Sequence, residues 1–290
     1  MESVPRPVSG SVADRLGSPR GCSLTFFDTF EPLYSVTGFF VGLLVGLTGV
    51  GGASLMTPLL VLFFGVHPVM AVGTDLLYAA ITKAAGAVVH HRHGQIRWRM
   101  VGLLAAGSIP AAVVTLFLMS GVDRHSVKAV SLLTTSLGWM LLLTAVVLLL
   151  GRRIAKLRVK PGFASRAAWS PTRVAALTLL LGLVLGVVVT MTSVGAGAIG
   201  VTVLLIIYSE AQIQEIVGSD IAHAIPLTLV GGLGYWMIGE INWMLLVSLL
   251  IGSVPGIILG SSIAPRMPEQ LVRRILAVTL ILVGGKMILS

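Results

Sequence analysis

The sequence is short of charge, and above all of negative charge. Only 11% of its 290 residues are Asp, Glu, Lys or Arg, with 11 acids against 20 bases. A soluble domain carries about 25% charged residues, so this chain lacks the polar surface to be one. With 56% hydrophobic residues and a mean hydropathy of +0.98, a soluble enzyme, a secreted disulfide scaffold and a disordered protein are excluded. The chain is an integral membrane protein. Cysteine is nearly absent: Cys22 alone allows no internal disulfide and no Cys-based zinc spacing. GxSxG, HExxH, P-loop and CxxCH motifs are missing too. No enzyme signature remains, and this chain by itself is not an ATP-driven pump.

The formal net charge is +9, which in a soluble protein points to nucleic acid. Here the positives sit in short loops between apolar runs, the pattern of cytoplasmic loops, so the partner is the lipid bilayer and not nucleic acid. Residues 1–32, with Pro5, Pro7 and Pro19 and charges of both signs, read as a flexible tail. Their one apolar patch, Leu24 to Phe27, is too short for a signal-peptide core, so the first membrane segment is expected to stay uncleaved.

From Tyr34 onward the chain is a series of apolar runs: 34–65, 68–90, 99–119, 126–150, 173–208, 214–238, 241–263 and 269–289. The longest break, 151–172, holds Arg152, Arg153, Lys156, Arg158, Lys160 and Arg166 and no acid, and Arg173 follows it. It reads as a basic cytoplasmic linker between two membrane regions, 33–150 and 173–290. A straight helix over 34–65 would be about 48 Å long, against a hydrocarbon core of about 30 Å. Both over-long runs are interrupted by small residues, TGVGGAS at Thr48–Ser54 and TSVGAGA at Thr192–Ala198. Such breaks predict broken or re-entrant helices, covered by protein or facing a cavity.

The breaks belong to an internal repeat. Gly38, Gly42, Thr48 and Gly51 match Gly182, Gly186, Thr192 and Gly195, an offset of 144. After one extra residue in the second copy, Gly73-Thr74-Asp75-Leu76 matches Gly218-Ser219-Asp220-Ile221. Gly94 to Trp98 then matches Gly239 to Trp243, and Gly107-Ser108-Ile109-Pro110 matches Gly252-Ser253-Val254-Pro255. The fold class is therefore an all-α polytopic membrane protein of two homologous repeats, each of four to five transmembrane or half-membrane helices, with a glycine-broken helix at the start of each. Four elements per half would make the halves parallel, and five would make them inverted. The inverted arrangement is favoured, because the loop at Gly94 carries Arg92, Arg97 and Arg99 while its match carries Glu240 and no base. Repeats of this kind are mostly secondary transporters, with the site between the halves.

Few ionisable residues lie well inside the runs: Asp75, Lys83, Asp220 and His223. Each costs free energy in the bilayer, which makes a functional role the default. Asp75 and Asp220 are repeat equivalents. They read as a pair near the pseudo-axis that handles protons or gating, or as caps at the N-termini of their own spans. The two readings are compatible. Lys83 lies about 12 Å along the helix from Asp75. It serves either to attract an anion or to neutralise a carboxylate from another helix. His223, one turn after Asp220, is a proton relay or a hydrogen-bonded interior histidine. His90, His91 and His93 lack further ligands and read as a solvated helix end, with no metal or cofactor expected. Half-helix N-termini suit anions, so Thr48, Gly51, Gly52, Ser54, Thr57, Thr192, Ser193, Gly195 and Gly197, with Lys83, are the candidate substrate site. Gly38-x-x-x-Gly42 and Gly182-x-x-x-Gly186 are helix-packing stripes.

These residues also carry a resemblance. In GLTGVGGASLMTPLL (Gly46–Leu60), GTDLLYAAITK (Gly73–Lys83) with His90 and Gly94–Trp98, and GSDIAHAIPLTL (Gly218–Leu229) with Gly239–Trp243 and GSVPG (Gly252–Gly256), the chain resembles the sulfite exporter TauE/SafE family. The likeness spans about 34–289. The family's hairpin motif usually reads Gly-x-Val-Asp-Trp, and Arg97 and Asn242 stand here in place of its acid. The resemblance implies a multi-pass permease of the bacterial inner membrane for a small sulfur anion such as sulfite, thiosulfate or a sulfonate. The expectation is a proton-coupled secondary transporter with alternating access. Two other readings stand beside it: a cation or metal permease using Asp75, Asp220 and the histidines, and a non-transporting membrane scaffold. The sequence leaves homo-oligomers open.

Overall fold

The computed structural model describes residues 32–48, 55–121, 126–158, 170–263 and 269–289. Among them are ten helices and no strand. The first five are α1 (Pro32–Thr48), α2 (Met56–Phe64), α3 (Pro68–Arg92), α4 (Trp98–Ser120) and α5 (Val127–Arg158). The second five are α6 (Pro171–Thr192), α7 (Ala198–Ile207), α8 (Ile213–Met237), α9 (Trp243–Ile263) and α10 (Glu269–Leu289). Both over-long apolar runs are two helices each. α5 continues past the apolar stretch into the basic segment.

Local sequence accounts for the boundaries. Pro68 and Pro171 open their helices at positions where a missing N–H costs nothing. The Ser170 hydroxyl accepts from Arg173 N–H. α8 begins with a reciprocal cap, in which Gln212 N–H donates to Glu215 Oε2 at 2.9 Å. α6 ends where Ser193 turns left-handed at φ 56°, and Gly195 and Gly197 follow at φ 109° and 113°. That backbone suits glycine.

Helix directions follow from residue contacts. On the α3–α8 interface Gly73 meets Tyr235, Leu77 meets Gly232, Gly86 meets Ile221 and His90 meets Gly218. One number rises as the other falls, so the two helices are antiparallel. Ser35, Phe39 and Leu43 of α1 meet Gly252, Gly256 and Gly260 of α9 in rising order, so that pair is parallel. Leu104 and Ser108 of α4 meet Gly182 and Gly186 of α6, also in parallel. Tight turns at Gly94 (φ 67°) and Gly239 (φ 81°) reverse the chain between α3 and α4 and between α8 and α9.

Each short helix folds back on the long one before it. The rings of Tyr34, early in α1, and Phe64, the end of α2, lie 4.7 Å apart. The hydroxyls of Thr178 in α6 and Tyr208 just after α7 are 3.0 Å apart. Both runs are thus hairpins. At 9 and 10 residues, α2 and α7 are about 14–15 Å long, roughly half a hydrocarbon core. Their N-termini therefore point away from the faces where the hairpins begin. α3 and α8 are the innermost spans: 62% and 61% of them lie buried, against 39–44% for α4, α5, α6 and α9.

Many contacts correspond under the 144–145 residue offset. Gly38 faces Leu249 as Gly182 faces Leu104, and Gly42 faces Ser253 as Gly186 faces Ser108. Arg97 N–H donates to Ser219 Oγ at 2.8 Å, as Asn242 N–H donates to Thr74 Oγ1 at 3.4 Å.

An added methyl at Gly42 or Gly186 would collide with the backbone of Ser253 or Ser108, whereas Gly102 has open space beside it. Overpacking of this kind costs about 1–3 kcal/mol. Gly42→Val and Gly186→Val are expected to lower the thermal unfolding midpoint in detergent, and Gly102→Ala to leave it level or raised.

Candidate functional site

The candidate site lies along the α3–α8 contact, where those helices meet the N-termini of the two short helices. Asp75 is fully buried, and the Thr57 hydroxyl donates to its Oδ2 at 2.5 Å. The Thr57 N–H donates to the same oxygen at 3.3 Å. Thr57 is the second residue of α2. The carboxyl thus sits on free N–H groups at a helix start, where the helix dipole favours negative charge.

Asp220 holds the matching place in the second half. It is 1% exposed and lies beside the Gly197 amide at the start of α7. Its Oδ1 presses on Gly200, where no side-chain atom intervenes. The expectation that each aspartate caps its own span is therefore overturned. Both are the eighth residue of their helices, two turns beyond the start, and each reaches the N-terminus of the preceding short helix.

The aspartates are also not a touching pair. Eleven residues separate Asp75 from Gly86, which faces Ile221, or about 17 Å of helix rise. Lys83 lies between them, half-buried, within electrostatic range of Asp220 first and Asp75 second. Lys83 comes from the first half and Asp220 from the second.

Other polar groups also join the two halves here. Ser193, at the α6–α7 break, lies beside the Asp75 carboxyl. His223 Nε2 and Ser108 Oγ are 2.8 Å apart, so the histidine is a hydrogen-bonded interior one. Tyr78, at the matching sequence offset, lies beside Ser253 as His223 lies beside Ser108. Asp220 Oδ1 and His223 Nδ1 are buried without a hydrogen-bond partner among the described residues, while Asp75 Oδ1, Ser193 Oγ and Tyr78 OH have polar neighbours but no close hydrogen bond. Unmet hydrogen-bonding capacity of this kind is costly in an apolar layer, and it gathers along this contact.

The remaining predicted residues divide. The Thr192 hydroxyl is spent on backbone, donating to Val188 O at 2.7 Å and accepting from Val194 N–H at 3.2 Å. Gly195 and Gly197 shape the break through positive φ. Thr48 ends α1, while its side chain and all of Gly51, Gly52 and Ser54 lie outside the described residues. His90 Nδ1 is 2.8 Å from Gln95 Oε1, and His91 stacks edge-on against Trp98. No group of three or more His, Cys, Asp or Glu converges among the described residues. An apolar groove of about 520 Å³ between α4 and α6, past Pro110 and Leu183, contains none of the site residues. Sequence reasoning missed Ser108, Tyr78 and Gly200 as site residues. The matched Gly-Ser-x-Pro clusters held the signal for the first.

The sequence profile of the sulfite exporter TauE/SafE family matches residues 34–287. This chain belongs to the sulfite exporter TauE/SafE family. Among its relatives, YjnA of Bacillus subtilis (strain 168), a probable membrane transporter protein, is 36% identical over 251 residues, covering 87% of this chain and 97% of that one. YdhB of the same organism, also a probable membrane transporter protein, is 29% identical over 246 residues, with 85% and 95% covered. A probable membrane transporter protein of Xylella fastidiosa (strain Temecula1 / ATCC 700964) is 26% identical over 251 residues, 86% of this chain and 91% of that one. No solved structure matches the chain. With its apolar helices, this TauE/SafE protein is an integral, multi-pass membrane protein of a transporter family.

Replacing Thr57 with Val removes the hydroxyl donor to Asp75 and leaves a buried carboxyl short of a partner. The expected cost is about 1–3 kcal/mol, read as a lowered unfolding midpoint in detergent. Thr57→Ser keeps the donor and is expected to recover most of that loss.

Proposed function

We propose that this protein is a secondary transporter of a small anion, sulfur-containing in keeping with its family, coupled to protons and working by alternating access between two inverted repeats. The observation that carries the reading is the polar cluster built jointly by both halves at two interior helix N-termini, with Lys83 between the carboxylates. A scaffold has little reason to bear the cost of burying such groups.

The repeat reading draws support from the contacts that recur at the 144–145 offset. The inverted reading draws support from the five helices in each half and the antiparallel run of the matched pair α3 and α8. Charge gives the orientation. The α3–α4 turn with Arg92, Arg97 and Arg99 lies at one face, together with Arg173 at the start of α6, and the α8–α9 turn with Glu240 lies at the other. Under the positive-inside rule the first face is cytoplasmic, and in a bacterium the membrane is the inner one. The parallel packing of α1 on α9 and α6 on α4 ties each hairpin to the opposite half.

Purified protein in liposomes under an imposed pH gradient is expected to carry at least one of sulfite, thiosulfate, sulfoacetate or sulfate saturably. Lys83→Met is expected to slow that flux at least about tenfold in protein that remains folded. Flux of divalent metal cations instead, or of nothing, in correctly inserted protein contradicts this reading.

A further inference from the structure

The two interior helix N-termini are the natural anion sites of this fold, and both are already occupied by the chain's own carboxylates. Asp75 holds the start of α2 through the Thr57 hydroxyl and N–H, and Asp220 holds the start of α7 at Gly197 and Gly200. Each of these carboxylates also keeps one oxygen, Oδ1, buried and without a close hydrogen bond among the described residues. Ser193, 8% exposed, sets its hydroxyl beside the Asp75 carboxyl. The N-terminal groups are therefore not idle caps. They are anion sites with a tethered occupant and spare polar atoms around it.

We propose that Asp75 and Asp220 are built-in competitors of the transported anion, and that each negative charge the anion brings to the cluster is matched by one proton taken up on one of these carboxylates. This rests on the transport reading above and specifies its coupling. With both carboxylates ionised and Lys83 protonated, the cluster sums to −1. An anion of charge −1 or −2 would carry the cluster to −2 or −3 in an apolar layer, where uncompensated charge costs several kcal/mol. Protonating one carboxylate per added charge (carboxylate plus proton gives carboxylic acid, with no other bond changed) returns the sum to −1. The protonated group no longer competes for the helix N–H groups, and they turn to the anion. Two carboxylates set the ceiling, so the substrate class is a mono- or dianion, moved together with its protons without net charge.

The groups facing these carboxyls are few. Thr57, Ser193 and Tyr78 lie at Asp75, and Lys83 couples to both carboxylates. Gly197 and Gly200 lie at Asp220, and the hydrogen-bonded Ser108–His223 pair stands one turn along α8. The neighbouring helices α2, α7 and α9 contain no charged residue, and those of α4, α5 and α6 lie near the helix ends.

The test is a ratio, so it is insensitive to how much protein is active. Liposomes with a pH dye inside are given thiosulfate, a dianion, and anion uptake is measured beside internal acidification. The expected ratio is two protons per thiosulfate in the wild type, with no response to an imposed membrane potential, and one proton in Asp75→Asn or in Asp220→Asn. Gly200→Ala pushes the Asp220 carboxyl off α7 and is expected to lower the half-saturating thiosulfate concentration several-fold. It keeps both carboxylates and reports even where an Asn variant fails to fold. Wild-type uptake without protons, uptake driven by potential alone, or a ratio of two in both Asn variants overturns this inference and leaves the transport reading standing. No uptake of thiosulfate, sulfite, sulfoacetate or sulfate by folded wild-type protein overturns both.

Discussion

A carboxyl group in an apolar layer has to find hydrogen-bond donors, and here it finds them at the unsatisfied N–H groups of a helix that starts inside the protein. That pairing of Asp75 with α2, and of Asp220 with α7, constrains much else. Here the chain turns back at each of these starts, so each long apolar run is a hairpin. The turn needs backbone that ordinary side chains disfavour, which is why Ser193, Gly195 and Gly197 stand at positive φ. The exposed polar backbone of the turn needs cover, and α3 and α8, the two most buried spans, supply it.

Close helix packing supplies the rest of the enclosure. In a bilayer, lipid is as apolar as the helix surface, so association rests on close backbone approach through small residues. α1 lies on α9 through Gly38, Gly42, Gly252, Gly256 and Gly260, and α6 lies on α4 through Gly182, Gly186 and Gly107. Each hairpin is thereby fastened to a helix of the other half.

Part of this was legible in the residues before any coordinates. Run length against bilayer thickness separated the ordinary spans from the two over-long ones. The change of offset from 144 to 145 put Asp75 and Asp220 at matching sequence positions, and both lie at the start of a short helix. The partners were not legible. Asp75 was open to capping its own span because Gly73-Thr74-Asp75 looks like a helix start, yet the helix begins at Pro68. Capping across helices is a tertiary contact, and nothing local to Asp75 names Thr57. The same holds for Lys83 beside Asp220, and for Ser108 against His223, which are 115 residues apart. The Thr192 hydroxyl, expected at the ligand, instead closes the end of its own helix.

If the α6–α7 break beside Asp75 lines the anion's binding place, water and small anions reach it. The most direct test uses the chain's single cysteine, Cys22, replaced by Ser so that Ser193→Cys is the only thiol. Labelling with a small water-soluble thiol reagent is measured in reconstituted protein, with Ala277→Cys in α10, 1% exposed, as the buried control. The account predicts that Ser193→Cys is labelled, that Ala277→Cys is not, and that thiosulfate or sulfite slows the labelling several-fold. A Ser193→Cys protein that labels no faster than the control, or at a rate no anion changes, would contradict it.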